Sequence, residues 1–126
     1  MKTSKFTFED LKIYQKAIVF IDEMYKVTST FPQSERFALT LQFQRASTSI
    51  ALNIAEGSAD TDKQFHRFLQ IALGSINECV VCVTIARQQE YVSELKEQEL
   101  RQLLIELSKM ITSLKSYLKS KPTSKD

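Results

Sequence analysis

Two glycines and two prolines in 126 residues leave this chain almost no means of making tight turns. A β-sandwich or barrel needs a turn signal roughly every 8–12 residues. A chain this poor in Gly and Pro, and rich in Leu, Glu, Lys and Gln, runs instead in long helices with few connections. Its length is that of one domain, with enough core to fold without metal or disulfide staples.

Hydrophobic periodicity places four helices. The first runs from about Phe8 to Thr28. Thr7 is its cap, Asp10 completes a capping-box-like pair, and Phe8, Leu11, Tyr14, Ile18, Ile21 and Tyr25 form its apolar face. Pro32 breaks the chain, and Ser34 caps a second helix from about Glu35 to Glu56 that stops at Gly57. The third begins after Thr61, which pairs with Gln64, and reaches about Gln89. The fourth is capped by Ser93 and runs to about Ser120 on a stripe of Leu100, Leu103, Leu107, Met110, Leu114 and Tyr117. Links of a few residues force sequential helices to be antiparallel. The expected fold is all-α, an antiparallel up-down-up-down four-helix bundle over residues 1–120, followed by a short, basic, disordered tail at 121–126.

The middle helices carry too little charge for a one-sided bundle. Between Arg36 and Glu56 the only charge is Arg45; between Arg67 and Arg87 it is Glu78. A helix buried on one side normally shows charge on the other. A second buried surface, a subunit interface on helices two and three, accounts for the deficit; a neutral surface of Ser, Thr, Gln and Asn is the alternative. At about 100° per residue, Arg45, Ser49, Asn53 and Glu56 form one ridge, opposite the core positions Phe43, Ile50 and Ile54. On helix three, Arg67, Gly74, Ser75 and Glu78 repeat the design, opposite Phe65, Leu69, Ala72, Ile76 and Val83. An antiparallel turn near 58–61 sets Arg45 beside Ser75 and Glu78, and Glu56 beside Lys63 and Arg67. The expectation is a polar seam of Arg45, Ser49, Asn53, Glu56, Arg67, Ser75 and Glu78, with Arg45 near Glu78 and Glu56 near Arg67 within a subunit or across an interface. Gly74 and Ser75 allow close backbone approach there. Isolated charges among apolar neighbours need partners. A carboxylate–arginine catalytic site is one reading of the seam. A device for register and specificity is the better one, because no nucleophile, metal set or phosphate loop accompanies it.

Other motifs carry no chemistry. Cys79 and Cys82 have redox or zinc spacing, yet Cys79 lies over four turns into its helix and no second ligand pair exists, so both read as small buried hydrophobes. His66 has no fixed partner in the sequence. In "KQFHRF" the basic residues alternate with Phe65 and Phe68, but those rings belong to the core stripe. No dinucleotide fingerprint, Walker loop, nucleophile elbow or HExxH occurs, so no cofactor, metal or catalytic activity is expected. The start "MKTSKFTFED" lacks an apolar signal region, and no run of about 18 uncharged apolar residues occurs. A cytoplasmic location, no membrane partner and reduced cysteines are expected. Net charge is +2, from 17 basic and 15 acidic residues, too mild by itself to mark a nucleic-acid binder.

The stretches "FEDLKIYQKA", "FPQSERFALTLQFQRASTSIALNIAEGS" and "FHRFLQIALGSINE", in this order, carry a resemblance over about residues 6–118. The patterns RAxxSIxxNIAEG and FxRFLxIAxGSxxE are specific, and the chain resembles the four-helix-bundle protein family. That family includes the proteins encoded by intervening sequences within bacterial 23S ribosomal RNA genes and is related to the accessory proteins of diversity-generating retroelements. The resemblance implies a ring, a homopentamer of four-helix bundles. It also implies a nucleic-acid (RNA or DNA) or ribonucleoprotein role rather than catalysis. Lys12, Lys16, Lys63, Lys109, Lys115 and Lys119 are the candidate nucleic-acid contacts. The alternative is a structural adaptor that binds a protein partner such as a reverse transcriptase.

Overall fold

The computed structural model describes residues 4–122. Four helices account for most of them: α1 Lys12–Thr28, α2 Leu39–Ser58, α3 Asp62–Gln88 and α4 Glu94–Ser120. Consecutive helices alternate in direction. One end of the bundle therefore gathers the start of α1, the α2–α3 turn and the end of α4. One core runs between the helices, built on Phe20, Phe43, Met24, Ile50, Leu69 and Leu104.

The helix starts show which local signals win. Thr61 accepts the Gln64 N–H at 3.2 Å and Ser93 accepts the Lys96 N–H at 3.0 Å, so both expected caps form. Thr7 does not cap α1. Thr7–Asp10 forms a separate 3-10 turn in which Glu9 accepts the Phe6 N–H at 2.7 Å, and extended Leu11 precedes α1. Asp10 binds Lys5 instead, at 2.9 Å. Nor does Ser34 cap α2. Gln33–Glu35 forms another 3-10 turn, and α2 starts at Leu39, whose N–H reaches the Glu35 carboxylate at 3.3 Å. The same carboxylate accepts the Tyr91 hydroxyl at 2.9 Å and ties the α1–α2 connection to the α3–α4 connection.

Two helix ends break the glycine rule. Gly57 lies inside α2 with no positive φ, so it is not a conformational stop. A Cβ there would meet the Phe68 Cβ at 2.6 Å and the Phe65 ring at 3.0 Å; Gly57 lets α3 approach. The residue that does turn left-handed is Glu90, φ 62°, after α3. Its N–H bonds Arg87 O at 3.0 Å and the Tyr91 N–H bonds Ala86 O at 2.8 Å, a Schellman closure made without glycine.

The first helix turns a different face inward from the one its periodicity indicates. Ile13, Ala17, Phe20, Met24 and Val27 are buried; of the expected face, Leu11, Tyr14 and Ile21 pack at the edge of the core, whereas Ile18 and Tyr25 are exposed. On α4 the buried set is Leu100, Leu104, Leu107 and Ile111. Leu103, Met110 and Leu114 pack at its edge and Tyr117 is exposed. On α3, Phe65 is only partly buried, and the rest of the expected stripe is core. Of the expected tail, Lys121 is bound to Asp62 at 2.7 Å, and residues 123–126 lie outside the described residues.

Candidate interface

The polar seam exists, but only its uncharged part closes within the chain. The Ser75 hydroxyl donates to the Ser49 hydroxyl at 2.8 Å across α2 and α3. The Asn53 side-chain amide donates to the Ser49 carbonyl at 2.8 Å and to its hydroxyl at 3.0 Å. Deeper in, Ser47 meets Cys79 at 3.5 Å and donates to Phe43 O at 2.8 Å. Every buried side-chain polar atom of the described residues has a partner, so the amide in the apolar helix is satisfied.

The charged members behave otherwise. Among the described residues, no ion pair joins Arg45 to Glu78 or Glu56 to Arg67. Within a subunit, the pairing expected from sequence is absent. Arg45, Glu56, Arg67 and Glu78 are all exposed. Arg67 lies over the Phe68 ring at 5.6 Å, and Glu78 accepts only a long bond, 3.5 Å, from Gln42. The reason is direction: the side chains point away from the bundle, where water solvates each charge more cheaply than a pair fixed in one geometry. Gly74 has nothing within 4 Å of where its Cβ would lie, so it makes no close approach inside the chain.

These charges punctuate two outward stripes. From Ala38, just before α2, the stripe runs through Gln42, Arg45, Ser49, Leu52 and Glu56; on α3 it is Arg67, Ile71, Gly74, Glu78, Val81 and Ile85. Steps of four and three alternate along both, the spacing of a helix seam. Leu52 is 65% exposed, Val81 56% and Ile71 41%. At the head of α2, Phe37 is 80% exposed beside a groove of about 450 Å³ that Leu41, Arg45 and Ile85 help to line. Sequence reasoning placed a second buried surface on these helices but did not name Ile71 or Ile85, although the four-three spacing was there to read. One consequence is that α3, with an apolar stripe on each side, is long and apolar enough by length and composition to cross a membrane, as buried core helices also can be.

The thiols of Cys79 and Cys82 are buried and free. Burial pushes them up to about 12 and about 11, so neither is a thiolate near neutrality. Among the described residues no cluster of His, Cys, Asp or Glu could hold a metal. His66 is partly buried and enters no hydrogen bond or ion pair with a described residue.

The six candidate lysines fall at one end of the bundle. Lys12 and Lys16 start α1, Lys63 starts α3, and Lys109, Lys115 and Lys119 end α4. Lys12 and Lys109 face each other across a groove of about 420 Å³ between α1 and α4, floored by Leu11, Met110 and Leu114. Lys115 bonds Gln70; the other five make no ion pair with a described residue. At the opposite end three of the six bases are engaged in ion pairs. Lys96 and Lys26 clasp Glu23 at 3.0 and 3.3 Å, and Arg101 holds Glu97 at 3.3 Å. The Lys96 and Lys26 ammonium groups hold the Glu23 carboxyl below the usual range.

Comparison with known proteins is decisive for kinship. The family described as 23S rRNA-intervening sequence protein matches residues 9–113. The chain belongs to that family. A crystal structure of a protein of unknown function from the S23 ribosomal protein family of Bacteroides thetaiotaomicron superposes with a TM-score of 0.75. It is 22% identical, covering 81% of this chain and 96% of that one, and so speaks for the fold alone. No curated protein matches. Neither this 23S rRNA-intervening sequence family nor the S23 neighbour is described as an enzyme.

Proposed function

We propose that this 23S rRNA-intervening sequence protein is a non-catalytic, oligomeric bundle whose lysine-rich end engages nucleic acid. The observation that supports the reading is the division of charge along the axis. Residues 4–20, 52–72 and 106–122 form the α1-start end, with nine bases and six acids, a formal +3. Residues 21–51 and 73–105 hold six bases and eight acids, a formal −2. A net of +2 for the whole chain hides this polarity. Symmetry multiplies it: copies sharing one axis direction would present several +3 ends together, a field that attracts phosphates. The copies associate through the outer face of α2 and α3 and close into a ring, pentameric as the family resemblance implies.

The test is titration of labelled RNA and duplex DNA between low and physiological salt. Binding should weaken steeply as salt rises, with a log–log slope of about −0.7 per phosphate contacted for a single strand. Lys12→Glu/Lys109→Glu/Lys119→Glu should abolish it, while Lys26→Glu/Arg36→Glu/Arg87→Glu at the other end should not. No binding at low salt by the assembled protein, or equal loss from both variants, overturns the reading. The groove between Lys12 and Lys109 then favours the second reading, an adaptor that takes an apolar, acidic segment of a protein partner on Leu11, Met110 and Leu114.

A further inference from the structure

We propose that where copies associate, the outer stripe of α2 in one copy lies along the outer stripe of α3 in a second copy, with the two bundle axes pointing the same way. The α2 of one copy then runs antiparallel along the α3 of the other. Arg45 meets Glu78 of the second copy, and Glu56 meets its Arg67. This rests on the assembly proposed above and specifies its geometry.

The Ser75–Ser49 hydrogen bond marks one level on both helices. Arg45 lies four residues before Ser49, and Glu78 three residues after Ser75. Because the helices are antiparallel, both stand about one turn toward the same end. Glu56 lies seven residues after Ser49 and Arg67 eight before Ser75, about two turns toward the other end. Each stripe thus carries one cation and one anion at matched heights. All four are exposed, and no ion pair joins them inside the chain.

A copy placed alongside, without inversion, keeps these heights. Its α3 then sets an anion opposite Arg45 and a cation opposite Glu56. Turning that copy end over end sets Arg67 opposite Arg45 and Glu78 opposite Glu56, and like charges repel. The apolar residues agree. Leu52 stands one turn from Ser49 on the side away from Arg45, the height of Ile71 and Gly74 on α3. Gly74 has open space where a Cβ would be, flanked by exposed Ile71, and this makes a hole for the Leu52 side chain. Pairing α2 with an inverted α2 would also match Arg45 to Glu56, but it would set Leu52 against the Ser49 hydroxyl. The matched charges and the Leu52–Gly74 fit single out this chain as the occupant.

The experiment uses two reversals of the full chain. Variant A is Arg45→Glu/Glu56→Arg and variant B is Arg67→Glu/Glu78→Arg. Association is read by light scattering after gel filtration and by co-purification of a tagged copy, and circular dichroism reports folding. Each variant alone should lose self-association by at least about tenfold, because like charges now meet at both heights. Mixed together, A and B should associate more tightly than either alone, since at every A–B contact the reversed α2 of A fits the reversed α3 of B or the native stripes fit each other, and a ring of five keeps only one mismatched contact. The quadruple variant should self-associate like the native chain. If A alone associates as tightly as the native chain, or if A and B stay apart when mixed, the geometry is wrong although assembly stands. A native chain that is monomeric at about 100 μM overturns both.

Discussion

Both glycines lie in helices, and replacing each by alanine should have opposite effects for reasons visible in the structure. Alanine is better than glycine in a helix interior by about 1 kcal/mol, and neither position has a positive φ. Propensity alone therefore favours both changes. At Gly57 the new Cβ would sit 2.6 Å from the Phe68 Cβ and 3.1 Å from its Cγ. The Phe68 Cβ is fixed to the α3 backbone and cannot rotate away, so α2 and α3 must separate at their shared turn. Overpacking of this kind costs about 1–3 kcal/mol, and the rigid partner puts it near the upper value. Set against the helix gain, Gly57→Ala should destabilise by about 1–2 kcal/mol. Gly74 meets nothing within 4 Å, so Gly74→Ala should stabilise by about 0.5–1 kcal/mol. That measurement belongs in a Leu52→Glu background, where the outer face is free of a second copy. Equilibrium denaturation in urea reads both, with unchanged slopes and shifted midpoints. Phe68→Ala keeps the offending Cβ and should not rescue Gly57→Ala. Stabilisation by Gly57→Ala, or rescue by Phe68→Ala, would show that α3 does not approach as described.

Three further outcomes are expected. Glu90→Gly should stabilise the chain by about 0.5–1 kcal/mol, because Glu90 holds φ 62° and glycine takes that conformation without a Cβ penalty; a neutral or destabilising denaturation midpoint refutes it. Glu23 has a depressed folded pKa, caused first by Lys96, so its contribution is whole above the ordinary carboxylate range and is lost as pH falls through the folded value. In Lys96→Met this acid limb of the stability curve should flatten by under about 1 kcal/mol, since the pair is partly exposed; an unchanged limb means the pair contributes nothing. Cys79 and Cys82 should react with a thiol reagent at pH 8 only at the rate of chain opening, their pKa values being about 12 and about 11; prompt stoichiometric reaction contradicts the burial.

The sequence by itself determined the number and type of elements, because scarcity of Gly and Pro and the 3.6-residue period act within one helix. It placed the caps at Thr61 and Ser93, where a hydroxyl reaches an N–H three residues on. It also determined that α2 and α3 are short of charge, and hence that they own a second apolar stripe. Only the tertiary structure decided which face of α1 turns inward. Phe8, Leu11, Tyr14, Ile18, Ile21 and Tyr25 are as well spaced as Ile13, Ala17, Phe20, Met24 and Val27, and the choice lies with the space that α2 and α4 leave between them. It decided that Glu35, tied to Tyr91 from 56 residues away, sets the start of α2 rather than Ser34. It decided that Gly57 serves proximity to Phe68 rather than chain reversal. And it decided that Arg45, Glu56, Arg67 and Glu78 share heights without sharing bonds. Sequence spacing fixes how far along a helix a side chain stands; packing alone fixes whether it points at its neighbour or past it.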